Sequence, residues 1–125
     1  MIFDTDIFIS IQRGNERSAE LINKAERRCL SVFSYMEFLQ GSMDKRQLRV
    51  NQDFLRDLDF ETLPLTENIG HRASIYVEQF GLSHAMRAGD AVIAATAAEH
   101  GLTLVTGNAK HYRQIPGITL RIVKF

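Results

Sequence analysis

Cysteine is almost absent: the only one, Cys29, excludes an internal disulfide, which suits a reducing compartment such as the cytoplasm. Cys29 opens an apolar run between Arg28 and Leu30, with no histidine near it in sequence. It reads as core filler rather than as a nucleophile. Net charge is absent too, because 15 basic residues balance 15 acidic ones. That excludes attraction of nucleic acid by a global positive field, though not by a local basic face beside a metal ion. No apolar run spans a bilayer, since the best one, Ala91 to Ala98, is interrupted by Thr96. The N-terminus shows no cationic segment followed by an apolar stretch and a small-residue cleavage site; Met1 leads straight into Ile2-Phe3-Asp4. Without a low-complexity tract, a repeat or a Pro/Gly-rich linker, residues 1–125 are expected to form one domain.

What the chain does have is an ordinary globular composition, 45% apolar and 24% charged, which is enough to build a core, and a regular alternation of patterns. Ile2-Phe3-Asp4 predicts a short strand with its polar end at Asp4. A helix follows from Ile7 to Gly14-Asn15, and a second covers Ser18 to Arg28. Cys29 to Phe33 reads as a buried strand, and Ser34 starts a helix that closes at Gly41-Ser42. Lys45 to Leu58 is amphipathic, with Lys45, Arg46 and Arg49 on a solvated face. Phe60 to Leu65 is a strand. The next helix opens at Thr66 and is ended by Gly81, and Gly89-Asp90 opens the apolar helix Ala91 to His100. Leu102 to Val105 is a strand, Gly107 to Tyr112 a helical turn, and Ile118 to Val123 the last strand. Tyr35, Met36, Phe38 and Leu39 are expected in the core. Strands alternating with helices require crossover connections, which predicts an α/β domain with a mostly parallel central sheet flanked by helices. Such sheets bind ligands outside the carboxyl ends of their strands.

The acidic residues of interest fall at that edge. Asp4 ends the first strand, Glu37 lies in the first turn after the second, Asp90 opens the helix before the fourth, and Thr106-Gly107-Asn108 directly follows the fourth. Carboxylates gathered from distant segments repel one another unless a cation neutralises them. Hard oxygen ligands suit Mg²⁺ or Mn²⁺. Each residue also has a purely structural reading. Ser34-x-x-Glu37 fits a capping box, Asp90 a simple N-cap, and Asp4-Thr5-Asp6 a capped helix entry. The shared edge favours the metal site, and a cap is compatible with a ligand role. None of His71, His84, His100 and His111 has zinc-motif spacing, and all four are read as non-catalytic, although His111 lies near the proposed site.

These residues carry a family resemblance. Met1-Ile-Phe-Asp4-Thr5-Asp6-Ile-Phe-Ile resembles the start of VapC-type PIN domains, and Ser31 to Gly41 resembles the segment holding that family's glutamate. Asp90-Ala-Val-Ile-Ala-Ala-Thr-Ala, with Glu99 to Asn108, is similar to its third and fourth motifs, and Lys110 to Ile118 to its ending. The resemblance spans essentially the whole chain and implies a PIN-like three-layer domain. It implies a Mg²⁺- or Mn²⁺-dependent endoribonuclease acting on tRNA, rRNA or mRNA, a homodimer, and silencing by a VapB-like antitoxin. Carried over, Asp4, Glu37 and Asp90 become the metal-binding carboxylates, with Asp6, Thr106 and Asn108 in support. Many relatives have an aspartate where Asn108 stands, so this site has one carboxylate fewer; Asp6 is a candidate to compensate or to act as an outer partner. In the expected mechanism Asp4 and Asp90 hold the ion, Glu37 ligates or orients the attacking water, and Thr106 and Asn108 position water or phosphate.

Two alternatives differ in class. A haloacid-dehalogenase-type phosphatase would use an aspartate of Asp4-Thr5-Asp6 as nucleophile, but Phe8 replaces the usual Thr or Val, and Asp90 lacks an adjacent acid. A catalytically silent PIN-like module that binds RNA or a partner would be consistent with the neutral Asn108.

Overall fold

The computed structural model describes residues 1–125. In chain order the elements are β1 (Ile2–Phe3), α1 (Thr5–Gln12), α2 (Glu16–Lys24), β2 (Cys29–Ser31), α3 (Val32–Gln40), α4 (Lys45–Asp57) and β3 (Glu61–Leu63). They continue with α5 (Glu67–His84), α6 (Ala88–His100), β4 (Leu104–Thr106), α7 (Ala109–Tyr112) and β5 (Leu120–Ile122). The five strands form one sheet in the order β3-β2-β1-β4-β5, and every pairing is parallel. The expectation of a mostly parallel sheet thus becomes an all-parallel one.

Successive residues of the central strands enter opposite cores. Ile2, Cys29 and Leu104 pack with residues of α5, α6 and α7, including Ile69, Ile93 and Tyr112. Phe3, Leu30 and Val105 pack with residues of α1 to α4, including Phe8, Ile22, Phe38 and Leu55. This two-sided alternation makes three layers, helices–sheet–helices, as the period of two along a strand requires. Phe8 ties the second core together, stacked on Phe38 at 5.2 Å and edge-on to Phe60 at 5.3 Å. Full burial of such a ring stabilises by about 1.5–3 kcal/mol. The outer strands β3 and β5 are mostly exposed or half-buried.

The observed boundaries shift several expected ones. α2 begins earlier, because the Asn15 side chain accepts from Ser18 N–H, and stops at Lys24 rather than Arg28. β2 ends at Ser31, whose Oγ accepts the Ser34 N–H at 3.0 Å, so Ser31 and not Ser34 caps α3. α5 runs through Gly81 and ends when Ala85 adopts a left-handed conformation at φ 52°. His84 is therefore helical, three residues beyond the expected end at Gly81. α6 starts at Ala88 with Arg87 as its N-cap, which places Asp90 third in the helix. The last two strands are shorter than expected and β4 extends to Thr106. Within α3, Phe38 is buried and Tyr35 and Leu39 are half-buried, but Met36 is 54% exposed and does not belong to the core. No helix is long and apolar enough to cross a membrane.

Candidate active site

Asp4 is the first residue beyond β1 and the N-cap of α1: its Oδ1 accepts the Thr5 N–H at 2.7 Å. Its structural role as a cap is therefore real, and the cap fixes the carboxylate at the sheet's carboxyl edge. β4 lies beside β1, so the end of β4 delivers Thr106 to the same place. Thr106 Oγ1 donates to Asp4 Oδ2 at 2.8 Å and accepts the Asn108 N–H at 3.0 Å. Thr106 is fully buried. With its hydroxyl committed to Asp4, it orients that carboxylate rather than reaching water or phosphate, which corrects the expectation from sequence. Tyr112, also fully buried, donates its hydroxyl to the same Asp4 oxygen at 3.0 Å.

Asp6 sits in the first turn of α1, where its Oδ2 accepts the Gly107 N–H at 3.0 Å. Asp90 Oδ1 lies 3.5 Å from the Tyr112 hydroxyl. His111 Nδ1 approaches Asp90 Oδ2 to 3.3 Å, close enough for an ion pair if the ring is protonated. That approach lacks hydrogen-bonding geometry, so the oxygen remains without a hydrogen-bond partner. Glu37 falls in the second turn of α3, not the first, and does not cap the helix. Its Oε1 stands 2.7 Å from Thr5 Oγ1, which is also 3.0 Å from Ser34 Oγ. A threonine hydroxyl has one proton, and the carboxylate is the stronger acceptor. Asp90 does not cap its helix either, since Arg87 holds that position without a side-chain bond.

Asp4, Asp6, Glu37, Asp90 and Asn108 line one cavity of about 600 Å³, joined by Arg87 and His111. All the carboxylates read from sequence thus converge. The sequence places His111 near the site but gives it no role there, and it leaves out Arg87, Thr5 and Tyr112. Nothing local marks Thr5 or Tyr112; for His111 the neighbourhood of Asn108 is the one available signal.

Charge is crowded here. Burial raises the Asp4 carboxyl above its usual range, the hydrogen bonds from Thr106, Tyr112 and Thr5 oppose that, and the Asp90 charge adds to it. Asp6 is pushed up to about 7, first by burial and then by the Asp4 charge. The Tyr112 hydroxyl is raised strongly by burial and by the neighbouring carboxylates, so it stays a donor. The buried side-chain oxygens without a hydrogen-bond partner are Asp6 Oδ1 and Asp90 Oδ2, and both belong to this site. Buried, unpaired carboxylate oxygens are costly unless a proton or a cation meets them. The donor set therefore suits a hard divalent cation. As arranged here, no three acidic, histidine or cysteine side chains close on a common point that would hold an ion.

The family model described as PIN domain matches residues 1–116 of the chain. No curated protein sequence matches it. Among solved structures, a toxin–antitoxin complex from Klebsiella pneumoniae superposes with a TM-score of 0.82 at 24% identity, covering 99% of this chain and 98% of that one. VapBC2 from Rickettsia felis, bound to a DNA fragment from its promoter, gives 0.79 at 24% identity, covering 99% and 100%. VapBC-1 from nontypeable Haemophilus influenzae gives 0.82 at 20% identity, covering 98% of each chain. At these identities the likeness is one of fold.

Proposed function

The chain belongs to the PIN domain family, and from that premise we propose that it is a metal-dependent endoribonuclease toxin of the VapC type, neutralised by a VapB-like antitoxin. One observation carries the reading: four carboxylates from three separate helices and their caps share a cavity in which two of their buried oxygens have no partner. The toxin–antitoxin complexes that share the fold support it and supply the kind of partner.

Asp4, Glu37 and Asp90 would hold Mg²⁺ or Mn²⁺. When bound, such an ion lowers the pKa of water and neutralises charge developing on a phosphate. The chain's own residues do the rest. Asp4 is fixed by its cap and by two hydroxyl donors. Glu37 is exposed and tethered by Thr5, so it orients a water by accepting its hydrogen bond. Asn108 offers a neutral amide at the cavity wall, and Arg87 a cation suited to a phosphodiester. A single metal fits this carboxylate count better than two. A homodimer acting on tRNA, rRNA or mRNA in the cytoplasm completes the reading.

The neutral Asn108 favours a second reading, a silent module that binds RNA or a partner. One experiment separates them. Chain purified free of partner is incubated with total bacterial RNA in Mg²⁺, Mn²⁺ or EDTA, beside Asp4→Asn and Asp90→Asn. Discrete fragments that require metal and vanish in both variants support the nuclease. RNA left intact by folded, metal-binding protein supports the silent module, as does normal growth of cells expressing the chain without an antitoxin.

A further inference from the structure

Tyr112 is a buried polar side chain that bonds a proposed metal ligand without being one itself. Its ring belongs to the larger core cluster, with no exposure. Phenylalanine would fill that place without burying a hydroxyl, a group that costs free energy unless it is bonded. The hydroxyl meets only carboxylates: it donates to Asp4 Oδ2 at 3.0 Å and stands 3.5 Å from Asp90 Oδ1. The two aspartates enter the site from different elements, 86 residues apart, and Tyr112 reaches both from α7.

We propose that Tyr112 is a positioning residue of the carboxylate site, holding Asp4 as the rigid ligand while leaving Asp90 free to adjust to a cation. The inference rests on the metal-dependent reading above. Hydrogen-bond accounting carries it. A phenol has one proton to give. The 3.0 Å contact takes it, and 3.5 Å lies beyond a good O–H···O bond. Asp4 Oδ2 also receives the Thr106 hydroxyl, so both of its acceptor directions are filled. Asp4 Oδ1 receives only the Thr5 N–H and keeps capacity for a further partner. Tyr112 and Thr106 together thus select which Asp4 oxygen is available. Asp90 has no such hydrogen-bonded clamp: Oδ1 has the long contact, and Oδ2 has no hydrogen bond, only His111 Nδ1 at 3.3 Å. One carboxylate is fixed and the other can move.

The test is Tyr112→Phe, which keeps the ring and its packing. Mn²⁺ affinity of the purified chain is measured by calorimetry and by the loss of the free-ion electron paramagnetic resonance signal, with no RNA present. Removing an outer partner of a metal ligand typically weakens binding roughly 10- to 100-fold, and a weakening in that range is expected here. Ile115→Val, a core change just after α7, controls for loss of packing and should leave Mn²⁺ affinity within about twofold of the unmodified chain. Tyr112→Phe binding Mn²⁺ as the unmodified chain does would overturn the inference and leave the nuclease reading standing. Equal weakening in both variants would also overturn it, by showing that packing alone is being read. Failure of the unmodified chain to bind Mn²⁺ would instead overturn the metal reading itself, and this inference with it.

Discussion

Thr5 Oγ1 stands 2.7 Å from Glu37 Oε1, a hydrogen bond that spans 32 residues and ties the start of α1 to the second turn of α3. Glu37 is otherwise exposed, and its tether comes from a residue beside Asp4 rather than from its own helix. Thr5→Val keeps the shape and removes the donor. A single hydrogen bond of this kind contributes about 1 kcal/mol to stability, so the melting temperature should fall only slightly. Cleavage of RNA should fall about 10-fold, the lower end for loss of an outer partner. Unchanged single-turnover cleavage would show that Glu37 needs no tether.

Cys29 is fully buried at the start of β2, and burial raises its thiol above the usual range, with the Arg27 charge opposing. A buried thiol without a thiolate is inert. Labelling with a thiol reagent should therefore be slow in the native chain and should accelerate in step with unfolding by urea. Fast stoichiometric labelling without denaturant would contradict both the burial and the reading of Cys29 as core.

Gly89 touches the aromatic wall of the cavity. A methyl group there would stand 2.3 Å from Cε1 of Phe33. In an open helix the change to alanine would stabilise by about 1 kcal/mol. Here the ring must move, and overpacking costs about 1–3 kcal/mol. Gly89→Ala should thus lower the urea midpoint, and adding Phe33→Leu should recover part of the loss. A Gly89→Ala chain as stable as the unmodified one would mean that the ring swings away without cost.

The parts of the fold legible in sequence are those set by local pattern. A polar residue closing the Ile2-Phe3 strand places Asp4 at the sheet edge, and strand–helix alternation yields the parallel sheet. Errors arise where two local signals compete. Ser31 and Ser34 are both good caps, and the apolar Val32-Phe33 between them hides the change from strand to helix. Gly81 looks like a helix end, but Phe80 packs against the core on one side of it and lies edge-on to His84, 5.7 Å away, on the other. The helix accordingly continues, at about 1 kcal/mol for an interior glycine. The gathering of Asp4, Asp6, Glu37 and Asp90 is readable because each sits at a helix N-cap or within the first two turns of a helix that leaves the same sheet edge. Tyr112 is not, because its role is created by α7 returning to β1 across 108 residues. No periodicity records such a contact.

Asp6 gives the chain a pH dependence of unusual sign. Its carboxyl is pushed from 3.8 up to about 7, by burial first and by the Asp4 charge second. Between those values the folded chain keeps a proton that the unfolded chain has released. Stability must then fall as pH rises through that window, and the loss from this group is complete above about 7. This is opposite to a salt-bridged aspartate, whose contribution is lost on acidification. Asp4 is raised as well and adds to the slope, so the comparison must be between variants. Asp6→Asn cannot lose the proton. In EDTA it should melt above the unmodified chain at pH 8, with the gap closing toward pH 4. Mn²⁺ meets the same negative charge, so adding it at pH 8 should raise the melting temperature of the unmodified chain by mass action. Near pH 5 protons compete for the carboxylates, and the metal effect should shrink. Parallel melting curves for Asp6→Asn and the unmodified chain at every pH would show that Asp6 titrates as an ordinary aspartate, and that its buried Oδ1 is met by solvent.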